Sequence, residues 1–240
     1  MRVAGLLLAL VLVTSCFVGG TFAKYVTSDF REDSARVAKF GVTVTAAGDV
    51  FAKEYDALDK TVKDYNGEVI AKSVISSGES ENDKVVAPGT AEQNVLTVSV
   101  TGKPEVAVKV EYDAHVTLLN DPITKVDNWK DEDGNYYCPL VITVNKTTKV
   151  NGLDYASAAD FENAVAKAIR DLTKNYPANT DLSQVVGTGV TISWEWPFEK
   201  ATGKKGNQSD VKDTWLGNQA AKGEAATVGI IVGATVTQID

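Results

Sequence analysis

Apolar and polar residues alternate at every second position along several long runs of this sequence. In residues 95–101, Leu96, Val98 and Val100 alternate with polar residues, and a turn at residues 102–104 leads into a second such run over residues 106–114. Successive side chains of a β-strand point to opposite faces of a sheet, so a period of two is typical of strands with one buried face. The two runs therefore predict a pair of adjacent strands.

The same pattern recurs towards both ends of the chain. It predicts a first core strand over residues 37–46, a strand over 191–196 and a last strand over 225–239. The last run has apolar residues on both faces near its middle, as a central strand requires. A chain of 240 residues is long enough for one large β-sandwich domain, which we expect over residues 34–240.

One segment has the period of a helix instead. Ser157 can cap its start, and Phe161, Val165 and Ile169 recur at helical spacing before Pro177 stops it. We therefore expect one amphipathic helix over about residues 157–174, covering a sheet edge or an end of the sandwich. Near residues 214–216 we expect only a short helical or irregular piece.

The N-terminus reads as an export signal. Arg2 precedes an unbroken aliphatic run over residues 6–13, and small residues flank Phe22 in a site for cleavage between Ala23 and Lys24. We interpret residues 1–23 as a signal peptide and expect a secreted protein, extracellular or in a cell-surface matrix.

Two other interpretations of this leader stay open. Residues 13–16 resemble a bacterial lipobox, which would leave Cys16 as a lipidated N-terminus. A permanent membrane anchor is disfavoured, because the apolar segment over residues 3–18 is shorter than the ~20 residues that a spanning helix needs.

Charge and residue counts argue against several classes of function. A net charge of −8, with no basic block, disfavours binding to nucleic acid. The chain has one histidine, His115, whereas a catalytic zinc site usually takes two or more imidazoles. We find no catalytic motif, predict no enzyme, cofactor or metal, and expect His115 at the surface.

Two further features have a plain structural interpretation. Cys138 is the one cysteine beyond the leader, so no disulfide scaffold is expected, and we interpret it as a buried small hydrophobe. The acidic stretches over residues 79–83 and 127–135 offer oxygen atoms to Ca²⁺, but residues 131–134 lack EF-hand spacing. A solvated hairpin tip, closed at residues 133–134, is the preferred interpretation.

The tryptophans keep a second class of function open. Trp129, Trp194, Trp196 and Trp215 would form a carbohydrate-stacking platform if their rings were exposed side by side, which would indicate a secreted carbohydrate- or surface-binding module. Core packing is the simpler interpretation for at least two of them.

The leader and the start of the domain resemble a known family. Residues 19–23 at the cleavage site and residues 33–38, which lead into the first predicted strand, are similar to the TasA/camelysin family of secreted proteins from Gram-positive bacteria. Residues 88–89, followed by the paired strands, add weaker support. The leader differs from the family's in having Arg2 as its one basic side chain, which leaves open the peptidase that processes it.

The resemblance implies a fold and a function. The fold is a jelly-roll-like antiparallel β-sandwich, and the function is a structural subunit of an extracellular fibre of a biofilm matrix. In the family's fibres the freed N-terminal segment of one subunit adds a strand to the next subunit. Some members have been described as metallopeptidases, a less favoured alternative here because His115 is alone.

By this analogy, residues 24–33 are a candidate donor strand that follows the signal peptide. Its candidate assembly residues are Tyr25, Val26, Thr27, Ser28 and Phe30. We therefore expect self-assembly into filaments, with cell-surface or matrix components as further partners and no stable membrane anchor. The alternative is that this segment completes its own domain.

Overall fold

The described part of the chain forms twelve β-strands, two α-helices and one short 3-10 helix. The structure is a computed structural model, and it describes residues 36–52, 54–57, 61, 63, 65–69, 72–75, 84–121, 126–185, 187–197 and 207–239. Phe40–Asp240 make up one compact unit. Met1–Lys39 make up another, in which residues 36–39 are described and have no regular secondary structure.

The strands follow one another along the chain from Val42 to Gln238. They are β1 (Val42–Ala47), β2 (Glu54–Ala57), β3 (Lys72–Ile75), β4 (Thr90–Gly102), β5 (Val108–Thr117), β6 (Leu119–Asp121), β7 (Val126–Asp127), β8 (Val141–Val144), β9 (Thr148–Asn151), β10 (Lys174–Tyr176), β11 (Gly189–Trp196) and β12 (Gly229–Gln238).

All pairs of described strands are antiparallel, and these strands form two main sheets. Sheet 1 has seven strands in the order β3-β2-β4-β11-β8-β9, with β1 also paired to β4. Sheet 2 has three, in the order β10-β5-β12, and β6 pairs with β7 separately. β4 organises sheet 1: its start pairs with β2, its end with β1, and its other side with β11.

The core lies between the two sheets. Val98 and Val100 of β4 are buried, as are Val108 and Val110 of β5, so both sheets place one face of their alternating pattern inside. The prediction of a mainly β, antiparallel sandwich is confirmed. The adjacent strands predicted over residues 95–101 and 106–114 are β4 and β5, although they lie in different sheets.

The first strand starts later than predicted, at Val42 rather than residue 37. The preceding Gly41 has φ 49°, a left-handed conformation that interrupts an extended strand. It also lies against Gly102 at the end of β4, where a Cβ atom would be 2.1 Å from the carbonyl oxygen of Gly41. Because no side chain fits between the two backbones, the turn into β1 needs glycine at residue 102.

The last strand is also placed differently from the prediction. β12 pairs along its whole length with β5 and has no second neighbour among the described strands, so it lies at an edge of the sheet that they form rather than at its centre. On its outer face Ile231 is 68% exposed. The apolar pattern of a central strand therefore occurs on an edge strand.

Helix α1 runs over Ala158–Arg170, close to the prediction. The Ser157 hydroxyl accepts a hydrogen bond from the Asp160 amide at 3.2 Å and caps its start. Phe161, Val165 and Ile169 are buried against the core. α1 contacts β5, β8 and β9, so it covers the edge of β5 that the short β10 leaves open, as expected for a helix that covers a sheet edge.

α1 ends four residues before the predicted end. The chain leaves the helix after Arg170, and β10, which starts at Lys174, pairs with β5. The Thr173 hydroxyl accepts a hydrogen bond from the Tyr112 amide at 3.1 Å, which ties this turn to β5.

The prediction of a single helix is wrong, because a second one, α2, spans Asn207–Ala221. Among its described side chains Leu216 is buried, whereas Val211 is 53% exposed and Trp215 is half-buried. α2 has no continuous apolar stripe, so helical periodicity could not reveal it. Neither described helix has the length and apolar character needed to cross a membrane.

We predict that Gly102→Ala lowers the free energy of unfolding by about 2 kcal/mol or more, because the added methyl group overlaps the Gly41 carbonyl. The measurement is urea unfolding followed by circular dichroism. Gly217→Ala in α2 is the control: its Cβ meets nothing within 4 Å, and alanine in a helix should raise stability by up to about 1 kcal/mol. Equal stability of Gly102→Ala and the wild type would contradict this packing.

Candidate functional site

The candidate donor residues lie outside the described residues. This holds for Ala23, Lys24, Tyr25, Val26, Thr27, Ser28 and Phe30, and for Cys16 of the alternative lipid site. Cleavage and strand donation therefore stay predictions.

Three of the four tryptophans belong to the core. Trp129, Trp194 and Trp196 are each at most 5% exposed. Their indole N–H groups are satisfied inside the protein: Trp194 Nε1 donates to the Val50 carbonyl at 2.8 Å, and Trp129 Nε1 donates to the Thr227 carbonyl at 2.7 Å. A platform of four exposed rings is therefore wrong, and the core interpretation is confirmed for three.

His115 and Cys138 occupy the environments that we predicted. His115 is exposed on the outer face of β5, beside Ile231 of β12. Cys138 is fully buried, and burial raises the pKa of its thiol to about 12, so the thiol is protonated and unreactive at neutral pH.

The acidic hairpin tip over residues 131–135 is exposed to solvent, except for the carboxylate of Asp131. Residues 132–135 are exposed, but Asp131 is 4% exposed. Its Oδ1 accepts hydrogen bonds from the amides of Asp133 and Asn135 at 3.2 and 2.9 Å, and its Oδ2 lies 2.9 Å from Lys212 Nζ. The carboxylate thus orders its own turn. No described group of three or more histidine, cysteine or acidic side chains is arranged to hold a metal ion.

Polar contacts of two neighbouring residues hold α2 against this hairpin. Lys212 pairs with Asp131, and Asp213 Oδ1 accepts hydrogen bonds from the Tyr137 hydroxyl at 2.8 Å and from Trp196 Nε1 at 3.3 Å. The hydrogen bond from Lys212 holds the pKa of Asp131 below its usual range. We call these contacts the α2 clasp.

A groove runs between α2 and the hairpin, and Trp215 forms one of its walls. The groove has a volume of about 490 Å³ and is lined by Asn128, Lys130, Glu132, Gln219 and Glu224 among others. A second depression of about 370 Å³ adjoins it and is lined by Trp215, Glu132 and Val211 among others. We call the two together the Trp215 groove. From the sequence we expected only a short helical or irregular piece near residues 214–216, which gave no indication of this groove.

A second surface lies where the edges of the two sheets approach each other. β1 and β12 are in contact. Val44 pairs with the buried Val100 and so faces the interior of the sandwich, yet it is 42% exposed. The inward residues of β12 are only half-buried, whereas the residues paired with them on β5 are buried. We call this incompletely covered side of the sandwich the open flank.

We predict that Asp131→Asn lowers the free energy of unfolding at pH 7 by about 1–3 kcal/mol, because it removes a charged partner from Lys212. The native pKa of Asp131 lies below the unfolded value of ~3.9, so the stabilisation is complete above that pH and is lost as pH falls through the native pKa. The deficit of the variant should therefore shrink below about pH 4.

Urea unfolding at pH 7 and at pH 3 measures this effect. Asp133→Asn, an exposed change on the same turn, is the control and should alter stability little at either pH. A deficit of Asp131→Asn that persists undiminished at pH 3 would refute the role of its charge.

The comparisons with known proteins find no relative of this chain. No protein-family model, no curated protein and no solved structure matches it.

Proposed function

We propose that this protein is a secreted structural subunit of an extracellular fibre, of the kind that builds a biofilm matrix. Subunits assemble head-to-tail, each inserting its N-terminal segment as a strand into the next. The observation that carries the proposal is the open flank, where β12 has the composition of a central strand but stands at an edge.

The difference in burial between β12 and β5 supports the proposal that a further strand pairs with β12 in the fibre. The inward side chains of β12 are half-buried, and each is paired with a buried residue of β5. These pairs are Ile230 with Val116, Val232 with Ala114, Ala234 with Tyr112 and Val236 with Val110. A strand added beyond β12 would cover the β12 side chains as β12 covers those of β5.

The backbone of β12 supports the same kind of partner. In an antiparallel pair, every second residue points its N–H and C=O groups away from the neighbouring strand. Along residues 229–237 of β12, those groups face an edge that no described strand covers. Such an edge is a template for pairing with another chain, and strand addition is a known mode of recognition.

Residues 24–33 have the length and pattern for this role. Ten residues in extended conformation span about 33 Å, which matches the ten residues of β12. In a strand, Val26 and Phe30 would lie on one face, where they can fill the open flank, and Tyr25 would lie on the other. The segment is also polar enough to stay in solution before it pairs.

Donor and acceptor would be different parts of one subunit, so the contact is heterologous. Such contacts propagate as open filaments when the rotation between subunits does not close into a ring. The N-terminal leader pattern supports export to the place where the fibre would form.

We predict that Val44→Lys abolishes or shortens the filaments, because it places an ammonium group where the donor's apolar side chains would pack. The control is Thr45→Lys, the same change at the next residue of β1, which points to the opposite face and is exposed. Thr45→Lys should assemble like the wild type. Electron microscopy and light scattering of the protein that starts at Lys24 measure assembly, and circular dichroism checks folding.

A second part of this experiment removes the donor segment, residues 24–33. A protein that starts at Ser34 should fold and stay monomeric, and the Lys24 form should polymerise. Filaments of equal length from both forms, or from both lysine variants, would reject strand addition. Unfolding of the Ser34 form would show that residues 24–33 complete their own domain.

We predict that the exported protein starts at Lys24, because residues 21–23 have the pattern of a signal-peptidase site. Intact-mass measurement of the protein recovered from the medium or the cell surface tests this. A lipid-bearing N-terminus at Cys16 would refute it and would leave no free donor segment.

A further inference from the structure

We infer that the Trp215 groove binds a polysaccharide segment, with the indole of Trp215 as its stacking surface and with a preference for sugar units that carry a free amino group. This site does not depend on the proposed assembly, because it shares no residue with the open flank.

The position of Trp215 sets it apart from the other tryptophans. Trp129, Trp194 and Trp196 are buried, whereas Trp215 is half-buried on α2. It borders both depressions, so a bound chain can pass across it from one to the other. The larger depression, at about 490 Å³, falls in the usual range of ligand sites, and its open form suits a chain that enters and leaves at the surface.

The polar groups around the ring are those that recognise hydroxyl groups. A sugar hydroxyl both donates and accepts hydrogen bonds, and Asn128, Gln219, Glu132 and Glu224 offer amides and carboxylates for both roles. Two of them are held in place: Gln219 Nε2 donates to Glu224 Oε2 at 3.0 Å, and Gln219 Oε1 accepts from Lys222 Nζ at 2.9 Å. Fixed side chains lose less conformational entropy when a ligand binds.

The charge of the lining selects among glycans. Four acidic residues (Asp127, Asp131, Glu132 and Glu224) line the larger depression against one basic residue, Lys130. Asp131 is paired with Lys212, so Asp127, Glu132 and Glu224 are the carboxylates left to face a ligand. Anionic polysaccharides are therefore repelled, and a cationic unit is attracted. The Lys222 ammonium group lies 5.6 Å from the centre of the Trp215 ring, so a cation already occupies one face of the ring and the sugar stacks on the other face.

The α2 clasp keeps the two walls of the groove together. Lys212 and Asp213, on the same helix as Trp215, contact Asp131 and Tyr137 on the hairpin side. The groove is thus held by polar contacts outside the stacking surface, and replacing Trp215 leaves those contacts intact.

The test is made at about pH 5 with the complete exported protein and three defined hexamers: glucosamine, whose amino groups are protonated at that pH, N-acetylglucosamine, which is neutral, and galacturonic acid, whose carboxyl groups are ionised. Isothermal titration calorimetry gives the affinities. We expect the glucosamine hexamer to bind most tightly, the neutral hexamer more weakly and the anionic hexamer not measurably.

Substitutions separate stacking from a structural role of Trp215. Trp215→Ala should weaken binding of the glucosamine hexamer about tenfold or more, and Trp215→Phe should restore most of it, because an aromatic face is kept. Leu153→Ala, which removes another exposed apolar side chain, is the control and should change nothing. Circular dichroism should show the same fold in all variants.

Several results would overturn the inference. These are no binding of any hexamer, equal affinity of Trp215→Ala and the wild type, or an anionic hexamer that binds as tightly as the cationic one. A neutral hexamer that binds more tightly than the cationic one would overturn the role given to the carboxylates.

Discussion

The pairing of β4 with β11 is the interaction on which the rest of the structure depends. β4 is thirteen residues long, and β1 and β2 share its other side, one at each end. The pairing shifts register between Ile192 and Trp194, and beyond the shift Trp194 is buried with its indole N–H on the Val50 carbonyl. This contact ties the chain between β1 and β2 to the centre of the sheet. The open flank and the Trp215 groove are both formed by elements that lie outside this pair of strands.

The two layers of the sandwich are unequal, and the inequality produces the open flank. Sheet 1 has seven described strands and sheet 2 has three. On one side α1 makes up the difference, because its buried face packs on β5, β8 and β9. On the other side β12 is the last described strand of its layer, and apolar side chains of β1 and β12 stay partly in contact with solvent. Burying apolar surface is favourable, so a strand that covered this side would be stabilised there.

Strong periodicity made part of this fold predictable from the sequence. Periodicity in a sequence arises when an element buries one face. This is the case for the alternating strands β4, β5 and β11 and for the helix α1. The sequence does not reveal the start of β1, because that start depends on the approach of Gly41 to Gly102, residues far apart in the sequence.

Helix α2 was not predictable either, because it is held by polar contacts of Lys212 and Asp213 and not by an apolar stripe. The Trp215 groove could not be predicted for the same reason, since it exists only once α2 lies on the hairpin. The apolar residues on both faces of β12 predicted a central strand, whereas β12 lies at an edge of the described sheet. The prediction would hold if a further strand paired with that edge.

The proposed assembly and the proposed glycan site have different requirements, and together they would give a property that neither has alone. A shallow groove with one aromatic wall and exposed polar groups binds weakly, because much of its surface stays in water. A head-to-tail filament repeats every surface of its subunit along one axis. If each subunit presents one Trp215 groove, a long polysaccharide meets many identical sites on the same fibre, and each later contact is made at high effective concentration. Weak single sites then suffice for firm attachment of a fibre to a matrix, while an isolated subunit releases the same polymer readily.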